Sequence, residues 1–217
     1  MHPQQPAQRR VENLAYCFQE LLTVGERLRS NRQQVADAPS FRAQIWAAVR
    51  QADEDARRRG YSADDIELAT FAVIAFLDAS ILNLRNPVFV DWPRQPLQEE
   101  RYGHHIAGEI FFQNLQKLMT RNDSHDLADL LEVYQLCLLL GFEGRYSMGG
   151  RGDLRAITMQ TADKVQRIRQ SGSDPWASRL LWIAVGCASL LVLLYAGFYL
   201  LLNSGADNLE TIARRLL

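Results

Sequence analysis

An all-α fold carrying a membrane anchor is what this chain of 217 residues predicts, on three observations. Apolar residues recur at steps of three and four along most of its length. No segment alternates with period two. Leu180 to Leu202 forms a run of 23 residues without a charge, 20 of them hydrophobic. That run explains why 47% hydrophobic content coexists with a mean hydropathy of −0.19, since about 42% remains outside it, ordinary for a soluble domain. At ~1.5 Å per residue the run makes a helix of about 35 Å, enough to cross a ~30 Å hydrocarbon core. These features argue against a secreted enzyme and against a plain cytosolic one.

Val11, Leu14, Ala15, Phe18, Leu21, Leu22 and Leu28 predict a first helix from about Arg9 to Ser30. Asn31 to Ser40, with Pro39, reads as a loop. Phe41, Ile45, Ala48, Val49 and Ala52 predict a second helix ending at Gly60. Ser62 caps a third, with Asp64, Asp65 and Glu67 at the positive end of its dipole. From Leu68 to Leu82 that helix is apolar on nearly every face and is expected at the centre of the core. Asn83 to Pro96 carries three prolines and connects two helical halves. A fourth helix is expected from Leu97 through His104 and Phe111 to about Arg121. A break at 122–125 precedes a fifth, with Leu127, Leu130, Leu131, Tyr134 and Leu138, which Gly141 ends. Leu154, Ile157, Thr161, Val165 and Ile168 mark a sixth. The expected organisation is a disordered 1–8, a cytoplasmic helical domain over 9–172, a joint at 173–179, a membrane helix at 180–202 and a short tail at 203–217, read as an interfacial helix or a frayed end.

No apolar run follows a basic start at the N-terminus, so a secretory signal is not expected. Lys164, Arg167, Arg169 and Arg179 precede the span, and only Arg214 and Arg215 follow it, which places the large domain in the cytoplasm. Before the span 22 basic residues face 23 acidic ones, a balance with no nucleic-acid footprint. Cys17, Cys137 and Cys187 lack metal-type spacing and read as reduced thiols. Within the span Ala184, Gly186, Ala188 and Ser189 offer small residues for close helix contact and self-association.

Candidate chemistry is sparse. Asp78 has Phe71, Ile74, Ala75, Ile81 and Leu82 as helical neighbours, so its charge must be paired, hydrogen-bonded or displayed at a cleft. The readings are a buried cap or partner of an arginine such as Arg145, and a carboxylate offered to another protein. His105 and Glu109 stand four apart and would face one metal on a continuous helix, but two ligands do not make a site. Gly149, Gly150 and Gly152 follow no strand and precede no Lys-Ser, so they read as a turn, not a phosphate loop. No nucleophile elbow or Cys-x-x-Cys pair is present, and no cofactor is expected.

Ala75 to Asp78, Trp92, Pro96 to Gln98, Ala107 to Phe112, Leu130 to Leu138 and Gly141 to Tyr146 have the order and spacing of one family. The chain resembles the DotU/TssL (IcmH-like) family of bacterial secretion-system membrane proteins over roughly Val11 to Leu202. The resemblance implies two packed three-helix bundles, hook-like, followed by one membrane helix. It implies a non-enzymatic scaffold in the inner membrane, partnered by the IcmF-like protein TssM and the lipoprotein TssJ, docking the baseplate through TssK and self-associating through its span. A partner-binding cleft would use Asp78, Trp92, Glu109, Glu132 and Arg145. The family pairs the Asp with a following Glu where this chain has Ala79, so a two-carboxylate contact does not carry over. Fifteen residues after the span are too few for the peptidoglycan-binding domain some relatives carry. Alternatives are a type IVB secretion stabiliser of the same family and, from another class, a membrane-tethered hydrolase using His105 with Glu109 or Asp78.

Overall fold

The computed structural model describes residues 13–84, 86–147, 149–171, 182–191 and 194–195. Their regular structure is entirely helical, with no strand among the described residues. The helices are α1 (Leu14–Cys17), α2 (Gln19–Arg29), α3 (Ala38–Arg58), α4 (Ala63–Leu82), α5 (Leu97–Tyr102), α6 (Ala107–Thr120), α7 (His125–Leu139) and α8 (Arg151–Ser171). Short 3₁₀ turns at Pro87–Phe89, Trp92–Arg94 and Gly144–Tyr146 shape the connections.

Helix α4 is the axis of the fold. It packs against α2, α3, α5, α6 and α7, and 14 of its 20 residues are buried. Its four-sided apolar surface makes this possible, since a helix without a polar face has to be enclosed. Each fully buried Ile, Leu, Val or Phe contributes about 1.5–3 kcal/mol relative to exposure, so Ile74, Phe76, Leu77 and Ile81, all at 0% exposure, are a large part of what holds the domain. One continuous apolar core joins Phe18, Leu21 and Leu28 to Phe76, and on to Phe111, Tyr134 and Phe142. The resemblance implies two packed three-helix bundles; here helices from both halves of the sequence pack on α4, and the described residues up to Arg169 belong to one compact unit.

Side-chain caps set the helix starts. Asn13, Asp37, Ser62 and Ser124 accept the amides of Tyr16, Ser40, Asp65 and Leu127 at 2.8–3.1 Å. Asp37 starts α3 before Pro39, which falls in its first turn and not in the loop expected there, because a first-turn proline has no amide to satisfy. The first expected helix is interrupted at Phe18 (φ −96°, ψ 6°), whose ring turns fully into the core. The expected fourth helix is two: Gly103 adopts a left-handed conformation (φ 70°) that ends α5, and α6 begins at Ala107. Gly152 lies within α8, not in the turn before it.

The described residues from Gln170 onward belong to a second unit. Residues 182–191 and 194–195 are helical and exposed, and no helix among the described residues is long and apolar enough to cross a membrane. Ala184, Gly186, Ala188 and Ser189 lie on this helical stretch, with the Ser189 hydroxyl donating to the Val185 carbonyl at 2.8 Å. The expected N-terminal segment 1–8, the joint at 173–179 and the tail at 203–217 lie outside the described residues.

Gly25 of α2 tests the close approach to α4. A Cβ there would stand 2.2 Å from the Phe76 ring, which is completely buried. Gly25→Ala gains helix propensity of up to about 1 kcal/mol, yet overpacking costs about 1–3 kcal/mol. A net loss of stability is expected in urea unfolding; a net gain would show that the two helices are free to separate.

A candidate docking site around Asp78

Asp78 is 0% exposed on the last turns of α4. One carboxylate oxygen accepts the Trp92 indole N–H at 2.9 Å and the Leu97 amide at 2.9 Å, and the other accepts the Gln98 amide at 2.8 Å. Leu97 and Gln98 open α5, whose N-cap residue is Pro96 with no capping side chain. Asp78 is thus the cap of α5, supplied from another helix across the core, where a negative charge meets unpaired amides at the positive end of the dipole. Burial raises its pKa above the usual carboxylate range, opposed by these three donors and by the Arg42 guanidinium. The carboxylate reaches no solvent, so it is not a charge displayed to a partner, and its contacts do not include Arg145.

A second cap continues the first. The Gln98 side-chain carbonyl accepts the amide of Ala107, the first residue of α6, at 2.7 Å, with both residues buried. Two helix starts therefore hang in series from one carboxylate.

The connection 86–96 is fastened over this hub. Trp92 is 2% exposed, edge-on to Phe89 at 5.5 Å. The Arg42 guanidinium of α3 lies 4.0 Å above the Trp92 ring and donates to the Gln95 carbonyl (2.6 Å) and the Glu100 carboxylate (3.1 Å). Beside it runs an open groove of about 720 Å³ lined by Asp37, Arg42, Trp46, Val88 and Trp92. Trp46 Nε1 is shielded there without a hydrogen-bond partner.

Glu109 and Arg145 come together elsewhere. Arg145 donates to the Glu109 carboxylate at 2.9 Å and to the Tyr146 hydroxyl at 2.9 Å, and both members of the pair remain about 40% exposed. Glycines bring their two segments together: Gly108 lies against Gly144, where an added Cβ would stand 2.8 Å from the Gly108 carbonyl and 2.9 Å from the Phe112 ring. Gly144 also has φ 48°, which a side chain would strain. Gly141 (φ 99°) ends α7, and the Phe142 ring packs tilted against Phe111, with centroids 4.5 Å apart. Every position of the Gly141-to-Tyr146 motif except Glu143 thus has a packing or polar task. Glu132 forms a third group, bonded to Arg169 at 2.5 Å and to the Asn13 amide, with Arg169 also 3.6 Å from Asp129.

His105 is not on a helix with Glu109, because α6 starts two residues later. It pairs with Glu99 at 2.9 Å. No cluster suited to a metal occurs among the described residues. Sequence reasoning missed Gln98, Arg42 and Lys164. Lys164, 5% exposed, donates to the carbonyls of Met119 (2.8 Å) and Arg121 (3.0 Å) and so caps the end of α6.

The sequence profile described as "Type VI secretion system protein DotU" matches residues 13–202. The chain belongs to the DotU family. Among solved structures, it is similar to the cytoplasmic domain of TssL from Acinetobacter baumannii, with 28% identity and a TM-score of 0.67 over 73% of this chain and 99% of that one. It is also similar to the type VI secretion protein SciP/TssL from enteroaggregative Escherichia coli 042, with 25% identity and a TM-score of 0.57 over 67% of this chain and 84% of that one. No curated protein matches the chain. Ala79, where the family resemblance places a second carboxylate, is partly buried against the core.

Asp78→Ala strands three donors and is expected to cost about 3–5 kcal/mol, with Asp78→Asn, which keeps one acceptor, costing less. Hydrogen exchange should show the Leu97, Gln98 and Ala107 amides losing protection before those of α7. Uniform loss across the domain would argue against a local capping role.

Proposed function

We propose that the chain is an inner-membrane scaffold of a type VI secretion system, holding the baseplate through its helical domain together with an IcmF-like TssM partner and, in the same complex, the lipoprotein TssJ. The observation that carries this reading is the extent of the family match, which covers the helical domain and runs on through the apolar stretch to residue 202. In the proposed topology the apolar run 180–202 spans the bilayer once, the helical domain lies in the cytoplasm and the C-terminus in the periplasm. Self-association through Ala184, Gly186, Ala188 and Ser189 gathers copies and adds avidity. The type VI reading is preferred to a type IVB role because the matched profile is described as a type VI protein.

Docking of a baseplate component such as TssK would read exposed groups. Glu109 with Arg145, and the outer face of 86–96 where Val90 is 73% exposed, are in position to do so. Asp78 and Trp92 would act indirectly, by fixing that connection. Glu132 would hold α7 to α8 through Arg169 and not meet the partner alone. A hydrolytic role finds less support, since His105 is committed to Glu99 and Asp78 to three N–H donors.

Gentle solubilisation of membranes and mass analysis of what co-purifies is the direct test. An IcmF-like protein and a baseplate component are expected with the full chain, and removal of 180–202 should release it from membranes. Glu109→Lys should lower baseplate recovery about tenfold while leaving the IcmF-like protein bound. Recovery of neither partner would overturn the proposal.

A further inference from the structure

Helix α8 is held to the domain differently from the other long helices. Only four of its 21 residues are buried, Thr161, Lys164, Val165 and Ile168, and none from Arg151 to Gln160 is. Leu154 and Ile157 lean partly on the core. Polar groups supply much of the remaining attachment. The buried Lys164 ammonium donates to the carbonyls of Met119 (2.8 Å) and Arg121 (3.0 Å) and lies 3.4 Å from the Asp123 carboxylate. Arg169 reaches Glu132 at 2.5 Å and Asp129 at 3.6 Å. Each of these groups is one that water solvates when the seam opens, unlike the apolar surface that encloses α4. At the start of the helix, Gly149 (φ 156°) and Gly150 (φ 83°) precede Arg151, and a Cβ added at Gly149 would meet no other group. Two consecutive glycines leading into an unburied stretch of helix have the makings of a hinge.

We propose that α8 is a latched arm, which swings off the domain as a unit about Gly149 and Gly150, with Lys164 as the latch, while α1 to α7 stay folded. The core centred on α4 runs through α2, α6 and α7 and does not need α8 to close it. When the arm leaves, the Lys164 ammonium and the two carbonyls it serves return to water together, so no charge is stranded on either side. Partial opening of this kind is expected where an element has few buried apolar contacts. What the motion achieves rests on the membrane reading proposed above. In that reading α8 is the last helix before the apolar run, and an undocked helix of its length adds up to about 30 Å to the tether of the domain. The latch then sets how far from the bilayer the domain can work.

The test labels thiols with a maleimide in the full chain in native membranes, with Cys17→Ser and Cys187→Ser as background. Thr161→Cys changes the seam little, since the Thr161 hydroxyl donates within α8, to the Ile157 carbonyl at 2.8 Å. Thr161 and the native Cys137 of α7 are both 0% exposed, so the reagent reaches either position only through an opening. Peptide mapping by mass gives both rates from one sample. Position 161 is expected to react at least about tenfold faster than Cys137. Lys164→Met leaves the two carbonyls without their donor only while α8 is docked. It should raise the rate at 161 about tenfold further and leave Cys137 as slow as before, which also shows that the core of the variant is folded. Equal rates at the two positions would mean that α8 opens only when the whole domain unfolds. A rate at 161 indifferent to Lys164→Met, or one raised equally at Cys137, would remove the latch. Each of these results overturns the proposal, and none of them bears on the membrane reading, which co-purification tests separately.

Discussion

The fold depends on how a buried carboxylate is satisfied. Asp78 sits where water cannot reach, on the most enclosed helix of the domain, and an ionised group there is tolerated only if its partners are fixed. Those partners are the start of α5 and the indole of Trp92, so the requirement of one side chain dictates where the 86–96 connection returns to the core. Gln98 passes the constraint to α6. From there Gly108 and Glu109 engage the turn at Gly144 and Arg145. A charge at the centre thereby fixes the geometry of groups at the surface.

This arrangement changes what the family resemblance implies for the residues it singles out. Asp78 and Trp92 shape the domain without being accessible, whereas Glu109 and Arg145 are both shaped and accessible. The missing second carboxylate at Ala79 is consistent with that division. A single Asp is enough to cap α5, and a neighbouring Glu would add a charge that the capping geometry does not use. Open surface beside the hub, including the groove over Trp46, remains the part of the site where a partner has room.

The helices were legible in the sequence where one side of the helix carried the whole signal. Ser62 announced its cap, Gly60 and Gly141 their stops, and the apolar run from Leu68 to Leu82 its central place. Gly103 was not read as a break because the apolar phase continues across it, and a lone glycine inside a periodic pattern is ambiguous between a tolerated residue and a C-terminal stop. The burial of Asp78 followed from its apolar neighbours. Its partners did not, since a carboxylate capping a helix that begins 19 residues later leaves no periodic trace. Lys164 reaching carbonyls more than 40 residues away was invisible for the same reason. Local chemistry showed the elements; the polar links between elements needed coordinates.

The central claim is that Asp78 and Gln98 act as one relay. A double-mutant cycle on the stability of the full chain, using Asp78→Asn, Gln98→Ala and the pair, measures this directly. If loosening the start of α5 already undoes the cap on α6, the two losses overlap, and the cycle should return a coupling above about 0.5 kcal/mol. Losses that add to within about 0.3 kcal/mol would mean that the two caps are independent, and that the surface geometry near Glu109 is set without Asp78.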